Sequence, residues 1–157
     1  MTIRNGVRKE LRTTMKLAGT RQEVFPLLCP VVEFDWLDSW HCEVLFTQSG
    51  VAEKGCVFRT WYPDQGGVET WVVSHYEPDE RIEFVRLNAS RSILYSIALT
   101  ESDDGCQAEW TQVQTGLDPL GDAVVERRTQ AAYEEQMGWI ERSLNHWLTT
   151  GSKLKRR

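Results

Sequence analysis

The sequence has no apolar segment long enough for a membrane. Residues 1–17 are polar and alternating rather than signal-like, and no run approaches the ~18 apolar residues of a membrane span. Cysteine is sparse and badly spaced for metal: Cys29, Cys42, Cys56 and Cys106 form no CxxC pair, and His41, His75 and His146 are scattered among them. A zinc site is not expected, buried free thiols are, and a reducing cytoplasmic setting follows as the default. Positive charge is short as well. Lys plus Arg number 18 against 23 Asp plus Glu, for a net −5, and four of the positives (Lys153, Lys155, Arg156, Arg157) lie in the last five residues. Removing those four from −5 leaves the rest of the chain near −9, without the basic face that displaces phosphate counterions, so nucleic acid is not an expected partner. No Gly-rich phosphate loop is present, because Gly66-Gly67 sits between two strand patterns rather than before a helix. Ser49 and Ser74 lack the strand, elbow and helix of a nucleophilic serine.

What remains is 157 residues, 41% hydrophobic and 26% charged, with seven Trp. A chain of this size buries roughly 70% of its unfolded surface, enough for one domain without disulfide or metal. No repeat or linker divides it.

A first strand is expected over residues 7–17. Thr20-Arg21-Gln22-Glu23 is a capping box ahead of Val24, Phe25, Leu27 and Leu28, and Pro30 stops that helix. Residues 31–40, aromatic and acidic, suit a second short helix or a tight connection. The period then changes to two, and six strands are expected at 42–47, 57–62, 68–76, 81–87, 91–102 and 107–115, joined by turns too short for crossover helices and so paired antiparallel. One long helix follows, capped at Asp118 or Asp122, with Tyr133, Met137, Ile140, Leu144 and Trp147 as its apolar stripe. Gly151 ends it, and residues 152–157 read as a disordered basic tail. The class is α+β: a curved antiparallel sheet of about seven strands, in the order strand, two helices, six strands, helix, wrapped around the last helix.

This order, the run Trp71-Val72-Val73-Ser74-His75-Tyr76-Glu77-Pro78-Asp79-Glu80-Arg81-Ile82-Glu83-Phe84, and the Asp104-Gly105 turn leading through residues 107–116 to the long helix resemble the SRPBCC superfamily. That helix-grip fold is shared by START lipid-transfer domains, birch-pollen-allergen-like proteins, polyketide cyclases and heat-shock-ATPase-activator-like proteins. The resemblance covers residues 7–149. The stretch from Cys29-Pro30 to Trp40, with Gly55-Cys56-Val57-Phe58-Arg59-Thr60, points to an uncharacterised bacterial branch. The resemblance implies a cavity between sheet and helix for a hydrophobic or amphipathic small molecule. It implies no cofactor and leaves a homodimer open.

Alternation places Ala108, Trp110, Gln112 and Gln114 on one face of the last strand, Ile93, Tyr95, Ile97 and Leu99 on one face of the strand at 91–102, and Ile82, Phe84 and Arg86 together on the strand before it. Two inward amides need partners, and Gln112 and Gln114 can satisfy each other or face a ligand. Arg86 inside would hold a carboxylate, although a rim position is the plainer expectation. Trp61, Trp71, Trp110 and Trp147 fall on elements that build the core, and Trp36 and Trp40 on the segment expected at the cavity mouth. The expected lining is thus Trp110, Gln112, Gln114, Tyr95, Phe84, Arg86, Trp71, Phe58, Tyr133, Met137 and Ile140. No catalytic set stands out. Glu33, Asp35, Asp38 and His41 cluster beside Trp36 and Trp40, where a desolvated carboxyl could donate a proton, but a solvated acidic helix face is the plainer expectation. His75 is expected at an exposed strand end. The leading expectation is therefore a non-catalytic binding protein. The rivals are a cyclase, dehydratase or aromatase using Glu33, Tyr95 or His41, and a protein-interaction module of the chaperone-activator type.

Overall fold

Period-two patterning decides most of this molecule. The computed structural model describes residues 1–157 apart from the side chain of Gln65. Seven strands, β1 (Arg8–Leu17), β2 (Glu43–Phe46), β3 (Val57–Tyr62), β4 (Gly67–Glu77), β5 (Arg81–Leu87), β6 (Arg91–Ser102) and β7 (Gly105–Gly116), form one open antiparallel sheet in the order β1-β7-β6-β5-β4-β3-β2. Strands joined by short turns lie side by side, as antiparallel geometry permits. β1 instead pairs with β7, from Arg8↔Thr115 to Leu17↔Cys106. Helices α1 (Arg21–Val24) and α2 (Glu33–Trp36) then carry the chain to the opposite edge. Thr20 and Glu23 form the expected capping box. β3, β5 and β6 fall on the expected residues, and the other strands differ by one or two at their ends.

The pairing slips in two places, in β2 between Val44 and Phe46 and in β4. A bulge in β4 between Val73 and His75 shifts parity, so that Glu69, Trp71 and Val73 face the core and the next inward ring is Tyr76, edge-on to Phe25 at 5.3 Å. His75 lies at that slip, half-exposed beside Glu77. Trp61 does not join the core as expected. Phe58 and Thr60 are the inward residues of β3, so Trp61 stands on the outer face, 64% exposed, opposite Val68. Trp36 is also displaced from its expected place at a cavity mouth, because it is fully buried and its Nε1 donates to the Leu27 carbonyl at 2.8 Å.

The single long helix is in fact two. α3 (Pro119–Arg127) starts at the expected Asp118 cap, whose carboxylate accepts from the Gly121 N–H. Gly121 permits its close approach to the β5–β6 turn, since a Cβ there would meet the Ser90 carbonyl at 1.7 Å. Arg128, at ψ 115°, leaves the helical region, and Thr129 caps α4 (Gln130–Thr150) by accepting from the Ala132 N–H. Lys9 donates to the carbonyls of Glu126 and Arg128, satisfying groups the break leaves open.

α4 lies across the sheet. Tyr133, Met137 and Leu144 are buried, and Ile140 and Trp147 pack partly buried against the same core. Asn145 fixes the helix to the end of β1, donating to the Lys16 carbonyl at 2.9 Å and accepting from the Ala18 N–H at 2.8 Å. Residues 152–157, expected as a disordered tail, run back toward α2: Leu154 bridges to Leu37, and Asp38 accepts from the Arg156 N–H at 3.0 Å. Among the described residues no helix is long and apolar enough to cross a membrane.

Candidate ligand-binding cavity

Strand alternation puts one aromatic ring on the inner face of each of five neighbouring strands: Phe58 on β3, Trp71 on β4, Phe84 on β5, Tyr95 on β6 and Trp110 on β7. Phe58 and Trp71 are direct cross-strand partners, as are Phe84 and Tyr95, so the rings must meet. Phe58 and Trp71 stack at 5.2 Å and 22°, Phe84 stands edge-on to both, and Tyr95 is edge-on to Trp110 at 5.9 Å. The five rings form a continuous wall. A cavity of about 700 Å³ lies between this wall and α4, with Met137, Trp139 and Ile140 on its helical side and Leu37, Asp38, Ser39, Trp40 and Arg156 among its other lining residues. A second chamber of about 190 Å³ shares Asp64, Arg86, Gln112, Arg128 and Gln136 with the first and extends to Arg91, Ile93, Gln114 and Arg127.

Nine of the expected lining residues meet in the main cavity: Phe58, Trp71, Phe84, Arg86, Tyr95, Trp110, Gln112, Met137 and Ile140. Gln114 lines the smaller chamber. Tyr133 lines neither. It is fully buried, and its hydroxyl donates to the Trp110 carbonyl at 3.3 Å, making it a strut between α4 and the sheet. His41 is exposed and lines neither chamber. Trp40 lines the cavity on its segment's behalf, its Nε1 anchored on the Pro30 carbonyl at 2.8 Å.

Two plainer expectations are overturned. Arg86 is not at the rim; it is 5% exposed because the inward parity of β5 carries it under α4. Its guanidinium stacks 4.5 Å over the Trp71 ring and donates to Glu69 Oε1 at 2.7 Å. Glu33 is not part of a solvated acidic face: α2 turns it into the cavity, where burial pushes its carboxyl up to about 8, while its neighbour Asp35 stays exposed.

A polar line crosses the inner sheet. Arg91 donates to Glu69 Oε1 at 3.0 Å and to Gln114 Oε1 at 3.3 Å, Gln114 donates to Gln112 at 2.8 Å, and Gln112 stands directly across from Tyr95 in the pairing of β6 with β7. The paired glutamines thus satisfy each other as their alternation allowed. Burial raises the Tyr95 hydroxyl well above its ordinary pKa, and nearby Tyr133 and Glu33 push the same way, so Tyr95 serves as a neutral hydroxyl. Glu33, Tyr95 and Gln112 therefore face one chamber: a protonated carboxyl, a phenol and an amide, capable of donating hydrogen bonds or a proton to a bound molecule.

Sequence reasoning missed Glu69, Arg91, Arg128, Trp139 and Tyr62. The first two carried a signal. Glu69 precedes Trp71 by two positions and Arg91 precedes Ile93 by two, so each shares an inward face with a residue assigned to the core. Arg128 could not be placed without the break between α3 and α4.

No family model matches the chain, and no curated protein matches it. Solved structures do. Mll3558 from Rhizobium loti superposes with a TM-score of 0.67 at 16% identity, over 90% of this chain and all of that one. An uncharacterised protein from Rhizobium leguminosarum gives 0.66 at 17% identity over 94% of this chain and 98% of the other. DynU16, from the dynemicin biosynthetic locus, gives 0.59 at 20% identity over 91% of this chain but 48% of its own. At these identities the likeness is one of fold: α+β, a seven-stranded antiparallel sheet and a C-terminal helix.

Proposed function

We propose that the chain is a single SRPBCC-like unit of helix-grip type that binds a hydrophobic or amphipathic small molecule between its sheet and α4. The carrying observation is the cavity of about 700 Å³ walled by five rings from five adjacent strands. Its size falls in the range of roughly 300–1,000 Å³ typical of ligand pockets, and aromatic walls with a few convergent polar groups suit a flat or chain-like apolar body. The test is thermal shift and native mass spectrometry of the purified protein against lipid, polyketide and aromatic panels. A stoichiometric adduct that raises the melting temperature is expected. Failure of every class to bind at high micromolar concentration would remove the reading.

A second reading is supported by Glu33, a cavity carboxyl held in its acid form to about pH 8 beside Tyr95 and Gln112. Such a group donates a proton to a bound carbonyl or leaving hydroxyl and takes one back, as cyclisation or dehydration requires. A fold of this kind also occurs in a biosynthetic locus. Turnover of polyketide-type substrates that disappears in Glu33→Gln, while binding persists, would establish it over simple carriage.

A further inference from the structure

The smaller chamber has an unusual charge balance. Arg86, Arg91, Arg127 and Arg128 line it, and Asp64 is the one carboxylate among its lining residues. Behind it lies Glu69, 1% exposed, whose Oε1 receives both Arg86 and Arg91. Arg127 and Asp64 stand on the exposed side, so three buried or half-buried guanidinium groups, Arg86, Arg91 and Arg128, gather around Glu69, leaving two positive charges in excess, and guanidinium does not shed its proton to relieve them. Uncompensated charge of one sign at a partly desolvated site is costly, and the cost falls when an opposite charge enters. Burial and neighbouring arginines also depress the Arg91 and Arg128 guanidinium groups, so the crowding is felt at both.

Placement matters as much as charge. The chamber is continuous with the aromatic cavity through Arg86, Gln112 and Arg128, so a molecule lying along the ring wall ends at the arginines. Arg128 is half-buried at the break between α3 and α4, where it donates to Gln136 and faces both chambers. Gln112 and Gln114 add amide groups at the junction. The large chamber carries the aromatic wall, and the small one gathers the arginines.

We infer that the ligand of this protein is an amphipathic acid, its apolar body on the aromatic wall and its oxyanion head, carboxylate or phosphate, in the arginine-lined chamber with Arg128 as the direct contact. The inference rests on the cavity-binding function proposed above and adds the class of ligand. Bidentate charge-assisted hydrogen bonding by guanidinium supplies the recognition.

Calorimetric titration with matched pairs tests it: decanoate and decyl phosphate against decan-1-ol, and 2-naphthoate against 2-naphthol. At least one acid is expected to bind about tenfold or more tightly than its alcohol at neutral pH, the discrimination a charge-assisted pair gives. Whether decanoate or decyl phosphate is the tighter assigns the head. Arg128→Gln should lower acid affinity about tenfold and narrow the acid-to-alcohol ratio, and Arg127→Gln, on the exposed side, should narrow it less. Equal binding of acids and alcohols overturns the anion site and leaves the cavity reading standing. Failure of both members of both pairs overturns the cavity reading and the anion site together.

Discussion

A carboxyl that keeps its proton to about pH 8 gives the folded state a pH dependence opposite to that of most acids. The ordinary Glu pKa is 4.5, so between 4.5 and about 8 the unfolded chain has released the Glu33 proton and the folded chain has not. The unfolded state then binds fewer protons, and stability falls as pH rises through that window. The contribution is complete below 4.5 and lost above about 8. Glu33→Gln removes the titration at nearly the same shape. The variant should match wild type near pH 4.5 and exceed it by a few kcal/mol at pH 8, measured by urea denaturation at both values. Parallel pH profiles for the two proteins would mean that Glu33 ionises normally. Arg86 differs in kind, because it and Arg91 share one Glu69 oxygen. A buried pair of this sort adds little net stability when intact and costs much when halved, which makes its excess of positive charge more informative about ligand than about folding.

Among the elements, those whose side chains alternate strictly were legible. β6 reads Ile93, Tyr95, Ile97 and Leu99 inward with Ser92, Leu94, Ser96 and Ala98 between, and β7 reads Ala108, Trp110, Gln112 and Gln114 inward. Phe84, Tyr95, Trp110 and Gln112 followed from parity and Met137 and Ile140 from the helix stripe, once the resemblance implied a cavity between sheet and helix. What stayed hidden depends on contacts distant in sequence. Arg86 is inside because Glu69, 17 positions earlier, receives it across the sheet. Glu33 is raised because a four-residue helix points it at strands that come later in the chain. The β4 bulge leaves no mark in a local pattern. The break between α3 and α4 did leave one, in Thr129, whose hydroxyl accepts from the Ala132 N–H at 3.1 Å, but the apolar stripe hides it by running on from Val125 to Tyr133. Thr129→Ala should cost about 1 kcal/mol in denaturant unfolding, the usual loss of an N-cap, whereas a mid-helix Thr→Ala change would be neutral or stabilising. The sign of the change therefore distinguishes two helices from one.

At the scale of the whole molecule, sheet and α4 enclose the cavity, and the last six residues lie along its mouth. Leu154 pairs with Leu37, Lys155 and the Arg156 N–H both reach Asp38, and the Arg156 guanidinium sits 4.8 Å over Trp139. Those two donors hold the Asp38 carboxyl below its ordinary range. Arg156, Asp38 and Trp139 all line the cavity, so the strap forms part of its wall, and on the binding function proposed above it would restrain the exit of a ligand. Its fastenings are weak. Exposed ion pairs contribute little, and a surface cation–π contact is worth about 0.5–1 kcal/mol, so the strap can release while sheet and helix stay folded. Ending the chain after Gly151 keeps the left-handed cap of α4, where the Gly151 N–H donates to the Trp147 carbonyl, and removes only the strap. The shortened protein should melt within a few degrees of the full chain and release bound decanoate several-fold faster in stopped-flow displacement. Because salt screens the Asp38 contacts, raising ionic strength should speed release from the full chain and leave the shortened one less affected. Identical release rates for the two proteins at low salt would show that the ligand leaves by another path.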